Sequence, residues 1–84
     1  MEGTGMSFVI RNEAISFKKD MEGFVSIFSL EKEATGVNEK GLKYSLSNAK
    51  VTNGFPIGVS NEFIGENAEI SVEKGSILVV VNWA

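Results

Sequence analysis

The sequence predicts an all-β domain, a small antiparallel β-sandwich. Apolar and polar residues alternate in several short segments, as they do in strands that bury one face. The ranges 24–30 and 77–81 are more continuously apolar, and their Val, Ile and Phe content is typical of central strands covered on both faces. Gly and Asn separate the segments at intervals of roughly 8–12 residues, a spacing typical of a sandwich or a small barrel.

The first half of the chain contains a predicted hairpin and a predicted core strand. Residues 8–11 and 14–18 flank Asn12, whose residue type favours a turn, so these two segments predict a hairpin. Farther on, Leu42 and Tyr44 begin an alternating stripe that continues to residue 46. The alternation predicts a strand that directs these side chains into the core.

The C-terminal part predicts a second hairpin. Residues 68–73 alternate, residues 77–83 are strongly apolar, and Gly75 lies in the short turn between them. No segment carries the apolar spacing of an amphipathic helix, so we expect no substantial helix.

Size and charge describe one small domain, residues 1–84, in which residues 1–5 are expected to form a loose tail. The net charge is −3, and the eight Lys and Arg residues are scattered. This distribution argues against a nucleic-acid surface or a polybasic membrane patch. The longest apolar run, 77–81, is too short to span a bilayer, and we expect a cytoplasmic protein.

The residue types that catalysis most often requires are missing. The chain has no Cys and no His, which excludes a Ser-His-Asp or Cys-His nucleophile and the usual zinc sites. Its one Asp, Asp20, lies in a predicted turn, whereas phosphoryl transfer from a nucleotide needs Mg²⁺ held by carboxylates. We therefore expect no catalytic residue and no metal site in this chain.

The segment 58–65 is the best candidate for a binding site. Ser60 and Asn61 offer uncharged hydrogen-bonding groups between glycines, and Phe63 offers a ring face. Together they could hold a flat heteroaromatic ring with a polar edge. The alternative is a β-turn in which Ser60 and Asn61 bond to their own backbone.

Two motifs give the chain a family resemblance. TGV is followed by GLKYSL, and then by GVSNEFIG and a closing strand after a Gly turn. In this order and at this separation the motifs resemble the C-terminal, thiamine-binding domain of bacterial thiamine pyrophosphokinase (thiamine diphosphokinase). The stretch SIFSLEKEATGV also resembles that family, so the likeness runs from about residue 15 to residue 81.

The resemblance implies a function for the intact enzyme. A β-sandwich would bind thiamine, a separate N-terminal domain would bind ATP and Mg²⁺, and a homodimer would complete the active site. Pyrophosphate would pass from ATP to the thiamine hydroxyl, giving thiamine diphosphate and AMP.

The resemblance also implies roles for individual residues. Ser60 and Asn61 would contact thiamine, and Phe63 and Gly65 would shape the pocket. The strand that carries Leu42 and Tyr44 would support it.

The ATP-binding domain is absent from this chain, so the resemblance implies that the chain supplies only thiamine binding and dimerisation. We expect it to hold no cofactor and to be inactive alone, whether it is an excised domain or a natural fragment. Ser45 also departs from the family pattern, which often has Pro there. The alternative function is a stand-alone β-sandwich that serves as an interaction or regulatory module and does not bind thiamine.

Overall fold

The fold is an all-β sandwich of two four-stranded antiparallel sheets, as the sequence predicted. The computed structural model describes residues 5–53 and 61–82. Its strands are β1 (Gly5–Arg11), β2 (Ala14–Phe17), β3 (Phe24–Ser29), β4 (Glu33–Lys40), β5 (Leu46–Thr52), β6 (Asn61–Glu62), β7 (Ala68–Ser71) and β8 (Ser76–Asn82). The first sheet has the order β1-β8-β3-β6, and the second has the order β2-β7-β4-β5.

The hydrophobic core lies between the two sheets. Strands β3 and β8 supply its first wall, with Ile27 opposite Val79 and both side chains fully buried. Strands β4 and β7 supply its second wall, including Val37 and Ile70. Burial of such side chains is the main stabilising term for a domain of this size.

Both predicted hairpins are wrong. Strand β1 pairs with β8, whereas β2 pairs with β7, so the segments on either side of Asn12 belong to different sheets. Strands β7 and β8 are separated in the same way. Among the described strands, only β4 and β5 are consecutive in the chain and paired with each other.

The two turns that cross between the sheets are joined to each other. Asn12 adopts a positive φ of 51° and Gly75 one of 110°. The backbone N–H of Asn12 donates to the Gly75 carbonyl at 3.2 Å, and the Gly75 N–H donates to Asn12 Oδ1 at 2.9 Å. The turn residues identified in the sequence therefore build corners between sheets, and the two corners support each other.

The predicted central strands are central, but in the single chain only one of their faces is covered. Strands β3 and β8 both lie inside the first sheet, as expected. However, Phe24 and Phe28 are exposed on the outer face of β3, and Val9 of β1 is exposed beside them. The nearly continuous apolar sequence thus combines a core face with an exposed apolar face.

The predicted core strand around Tyr44 is also only partly correct. Leu42 is buried, but residues 43–45 form part of the connection between β4 and β5, and Tyr44 is 60% exposed. A loop backbone does not keep the alternation of a strand, so Leu42 and Tyr44 do not share a buried face.

The ends of the described region add two observations. Gly5, expected at the end of a loose tail, begins β1 and lies opposite Asn82, whereas residues 1–4 lie outside the described residues. Within the described part of the chain, no helix has the length and hydrophobicity needed to cross a membrane.

Candidate functional site

The two sequence motifs meet at the edge of the first sheet. Strand β6 is the edge strand and pairs with β3, which places Asn61 opposite Val25 and Glu62 opposite Phe24. The side chain of Asn61 enters the core, whereas Glu62 is half-buried on the other face. Ser60, the other polar residue of this motif, lies outside the described residues.

The turn that carries Tyr44 is attached directly to β6. Leu42 forms an isolated antiparallel bridge with Phe63, and the Lys43 N–H donates to the Glu62 carbonyl at 2.9 Å. The GLKY and NEF segments are therefore neighbours in space, although about 17 residues separate them in sequence.

Asn61 connects these segments through its side chain. Its Oδ1 accepts from the N–H of Tyr44 at 3.0 Å and from the N–H of Glu62 at 2.9 Å. Its Nδ2 donates to the Tyr44 carbonyl and to Glu39 Oε1, both at 2.7 Å. Since an amide side chain offers two donors and about two acceptor positions, these four bonds use the full hydrogen-bonding capacity of the Asn61 side chain.

Phe63 is a core residue in this structure. It is 7% exposed, and its ring meets the ring of Phe17 edge to face, with centroids 5.3 Å apart. The Phe63 N–H also donates to the Gly23 carbonyl at 3.0 Å. The ring thus stabilises the sandwich beneath the turn, an arrangement favourable for an aromatic pair.

Gly65 is needed for its backbone conformation and not for close packing. Its φ is +80°, in the region that glycine adopts without strain, and a Cβ there would meet no atom within 4 Å. Gly41, at the start of the Tyr44 turn, differs. Its φ is +74°, and a Cβ there would overlap the carbonyl of Asn67.

Tyr44 presents an exposed ring beside two charges. The Lys43 ammonium lies 5.6 Å from the centroid of the Tyr44 ring, within the range of a cation–π contact. Lys43 Nζ is also 3.7 Å from Glu62 Oε1, and both side chains are about half exposed. An aromatic face and a carboxylate therefore lie together, and a cation already lies near both.

Glu39 is the site residue that sequence reasoning missed. It is fully buried, and apart from the bond from Asn61 its carboxylate has no hydrogen-bond partner in the described part of the chain. Burial raises the pKa of Glu39 to about 7, against the opposing effect of the Asn61 hydrogen bond. The available signal was its position two residues after Val37, in phase with a core residue.

One groove of the described region is lined by no residue of the Tyr44 turn or of β6. Phe17, which contacts the Phe63 ring, lines a groove of about 540 Å³ together with Lys18, Lys40 and Asn67, but Phe63 does not line it. Within residues 5–53 and 61–82, no group of three or more acidic side chains is arranged to hold a metal ion.

Comparison with known proteins now decides the family. Residues 12–77 match the family described as thiamin pyrophosphokinase, vitamin B1 binding domain. The chain belongs to this family. The match includes both the turn of Tyr44 and strand β6, so the segments joined by Asn61 are parts of a vitamin B1 binding domain. Among curated proteins, none matches the chain significantly.

Solved thiamine pyrophosphokinases share the fold of this vitamin B1 binding domain. The enzyme from Bacillus subtilis superposes with a TM-score of 0.85 at 21% identity, over 96% of this chain and 39% of that one. The enzyme from Geobacillus thermodenitrificans gives 0.84 at 20% identity, over 95% and 38%. A family member from Enterococcus faecalis gives 0.75 at 23% identity, over 96% and 38%. The chain thus spans about two fifths of the length of these proteins.

Proposed function

We propose that this domain binds thiamine, at a surface formed by the Tyr44 turn and residues 60–65. The observation that carries the proposal is the match of residues 12–77 to the vitamin B1 binding domain. The adjacency of the GLKY and NEF segments supports it, because one compact surface then contains both motifs.

The chemistry of the Tyr44 surface suits thiamine, which joins a cationic thiazolium ring to an aminopyrimidine. An exposed aromatic ring attracts a cation over its face, and a nearby carboxylate adds to that attraction. Lys43 holds this position in the structure, 5.6 Å from the ring centroid. The thiazolium would displace the Lys43 ammonium, which is exposed and free to move into solvent.

Residues 60–65 contribute in different ways under this proposal. Ser60 contacts the ligand, and Gly65 gives the chain the turn it needs beside the pocket. Phe63 shapes the pocket from beneath, through the core. Asn61 contributes mainly by holding Tyr44, because direct contact with thiamine would require it to give up one of its present hydrogen bonds.

The reaction we propose for the whole protein is the transfer of pyrophosphate from ATP to thiamine, which yields thiamine diphosphate and AMP. ATP and Mg²⁺ would bind to a separate N-terminal domain, and this chain alone would bind thiamine without catalysing the transfer. The need for ATP favours the cytoplasm as its location.

We also propose that a second copy of the chain covers the exposed face of the first sheet. Val9, Leu78 and Phe28 form one apolar row across three strands of that face. Arg11 and Glu62 lie at diagonally opposite corners of the face, so two copies packed face to face in opposite directions bring unlike charges together. Such a homodimer would bury apolar surface that the thin core of one domain leaves exposed.

Calorimetric titration of thiamine into the chain tests the proposed function. We expect weak binding, because the rest of the pocket lies on another domain or subunit. Tyr44→Ala should weaken it about fivefold or more, whereas Tyr44→Phe keeps the ring and should keep most of the affinity. Glu62→Gln should also weaken binding, and Glu69→Gln, which removes an exposed carboxylate from β7, is the matched control. Absence of binding by the unaltered chain would favour an interaction or regulatory module.

A further inference from the structure

Glu39 is a buried acid that neither the fold nor thiamine recognition explains. Its side chain lies in the core of the sandwich, on the strand that carries Val37. One oxygen, Oε1, accepts from Asn61 Nδ2 at 2.7 Å. The other, Oε2, is buried without a partner in the described part of the chain. An unpaired buried oxygen destabilises a protein unless it serves another purpose.

Among the described residues around Glu39, none supplies a compensating charge. On β5 the nearest strand position is Leu46, and the lysine of that strand, Lys50, lies near Glu33 in solvent. On β7 the neighbour is Ile70, while Glu69 is exposed. In the Tyr44 turn, Lys43 pairs with Glu62 of β6, and Lys40 of β4 itself is exposed. Strands β3 and β8, across the core, carry no charged residue.

We propose that Glu39 is a positioning residue for the thiamine-binding surface: it fixes the amide of Asn61, and through Asn61 it fixes the turn of Tyr44. The chain of contacts runs from Glu39 Oε1 to Asn61 Nδ2, and from the same amide to both the N–H and the carbonyl of Tyr44. The backbone that carries the exposed ring of Tyr44 is therefore held from inside the core. This inference rests on the proposed function for its link to thiamine, but its structural part does not.

The protonation state of Glu39 gives the arrangement its sensitivity to pH. Because burial raises the pKa of this carboxyl to about 7, it is neutral below neutral pH and loses its proton near it. The charged form would leave a negative Oε2 buried without a donor. Water or a rotated side chain must then supply a hydrogen-bond donor to Oε2. Either change disturbs Asn61 and therefore the Tyr44 turn, which Asn61 holds.

The structural part is tested by NMR without ligand. In the 84-residue chain, the Asn61 side-chain amide and the Tyr44 backbone amide should titrate together with a midpoint near pH 7. Glu39→Gln, which keeps the shape and cannot ionise, should abolish this titration. Glu69→Gln is the matched control and should leave it unchanged. A titration that persists in Glu39→Gln, or flat resonances in the unaltered chain, would overturn the inference.

The link to the ligand is tested by thiamine affinity at pH 6 and pH 8. We expect the unaltered chain to bind several-fold more weakly at pH 8, and Glu39→Gln to bind equally at both. Glu39→Leu fills the core without a hydrogen bond, so it should fold stably yet bind about tenfold more weakly. Unchanged affinity in Glu39→Leu would overturn the positioning role. If the unaltered chain does not bind thiamine, the proposed function fails, and the NMR titration alone decides the role of Glu39.

Discussion

The side-chain amide of Asn61 bonds both polar groups of the Tyr44 backbone: it accepts from the N–H at 3.0 Å and donates to the carbonyl at 2.7 Å. An amide that bonds both polar groups of one residue copies the pairing of a strand neighbour. The backbone of Tyr44 therefore makes two hydrogen bonds like those between paired strands, although it lies in a turn outside the sheets. This relationship holds the backbone from which the exposed ring of Tyr44 projects.

Removal of that amide should weaken the whole domain as well as the site. Asn61→Ala leaves both polar groups of Tyr44, the N–H of Glu62 and Glu39 Oε1 short of a partner. We expect a loss of about 2–4 kcal/mol in the free energy of unfolding, measured by urea denaturation. Asn67→Ala, which removes a single exposed bond to the Lys19 N–H, is the control and should cost less than about 1 kcal/mol. Equal losses for the two variants would contradict the account of Asn61.

Two glycines with similar backbone angles should respond differently to alanine. Gly41 and Gly65 both have positive φ, but only at Gly41 would a Cβ overlap a carbonyl, that of Asn67. We expect Gly41→Ala to cost about 3 kcal/mol or more in unfolding free energy, and Gly65→Ala about 1–2 kcal/mol from backbone strain alone. Thermal denaturation of both variants measures the difference. A smaller loss at Gly41 than at Gly65 would contradict the packing described here.

Glu39 should make the domain less stable as the pH rises. Its pKa is raised from an ordinary value of 4.5 to about 7 in the folded state. Between these values the folded chain binds more protons than the unfolded chain, so stability falls as pH increases through this window and is level above it. The decrease should amount to about 1–3 kcal/mol. Denaturation at several pH values from 4.5 to 8 measures it, and Glu39→Leu should remove most of it. A stability that rises across this window in the unaltered chain but not in Glu39→Leu would contradict the prediction, because it would mean that the pKa of Glu39 is lowered on folding.

The exposed apolar face should determine the association state. Val9 is 61% exposed at the β1 end of the row that continues through Leu78 to Phe28, so a charge there does not enter the core. We expect sedimentation to show a dimer for the unaltered chain and a monomer for Val9→Asp, because the dimer would bury that charge. Ile64→Asp places a charge on another exposed apolar residue, 46% exposed, and should remain dimeric. An unaltered chain that stays monomeric at high concentration would contradict the proposed homodimer.

The sequence predicted the fold class because alternation and β-branched content depend only on local order. It did not predict strand pairing at Asn12 and Gly75, where a short turn can either close a hairpin or carry the chain to the other sheet. The choice depends on contacts between the two turns, which lie 63 residues apart. No local pattern contains that information.

At the candidate site, too, part of the structure was predictable from sequence and part was not. The motifs around Leu42 and Asn61 predicted the family, which the match of residues 12–77 confirms, whereas their role in binding stays a prediction. The pattern could not show that Tyr44 is exposed, because that depends on where β4 ends and the turn begins. Glu39 remained hidden because an acidic residue in a strand is usually on the solvent side. Its burial becomes apparent only when Asn61 is seen to approach it from another sheet.

The most direct test of the central claim is an NMR titration of the chain with thiamine, with the backbone amides of Tyr44, Glu62 and Asn61 as reporters. We predict saturable shifts that cluster at these residues, and shifts in Tyr44→Ala that are much smaller at equal thiamine concentration. Resonances at these residues that do not respond to millimolar thiamine would contradict the assignment of this surface to the vitamin.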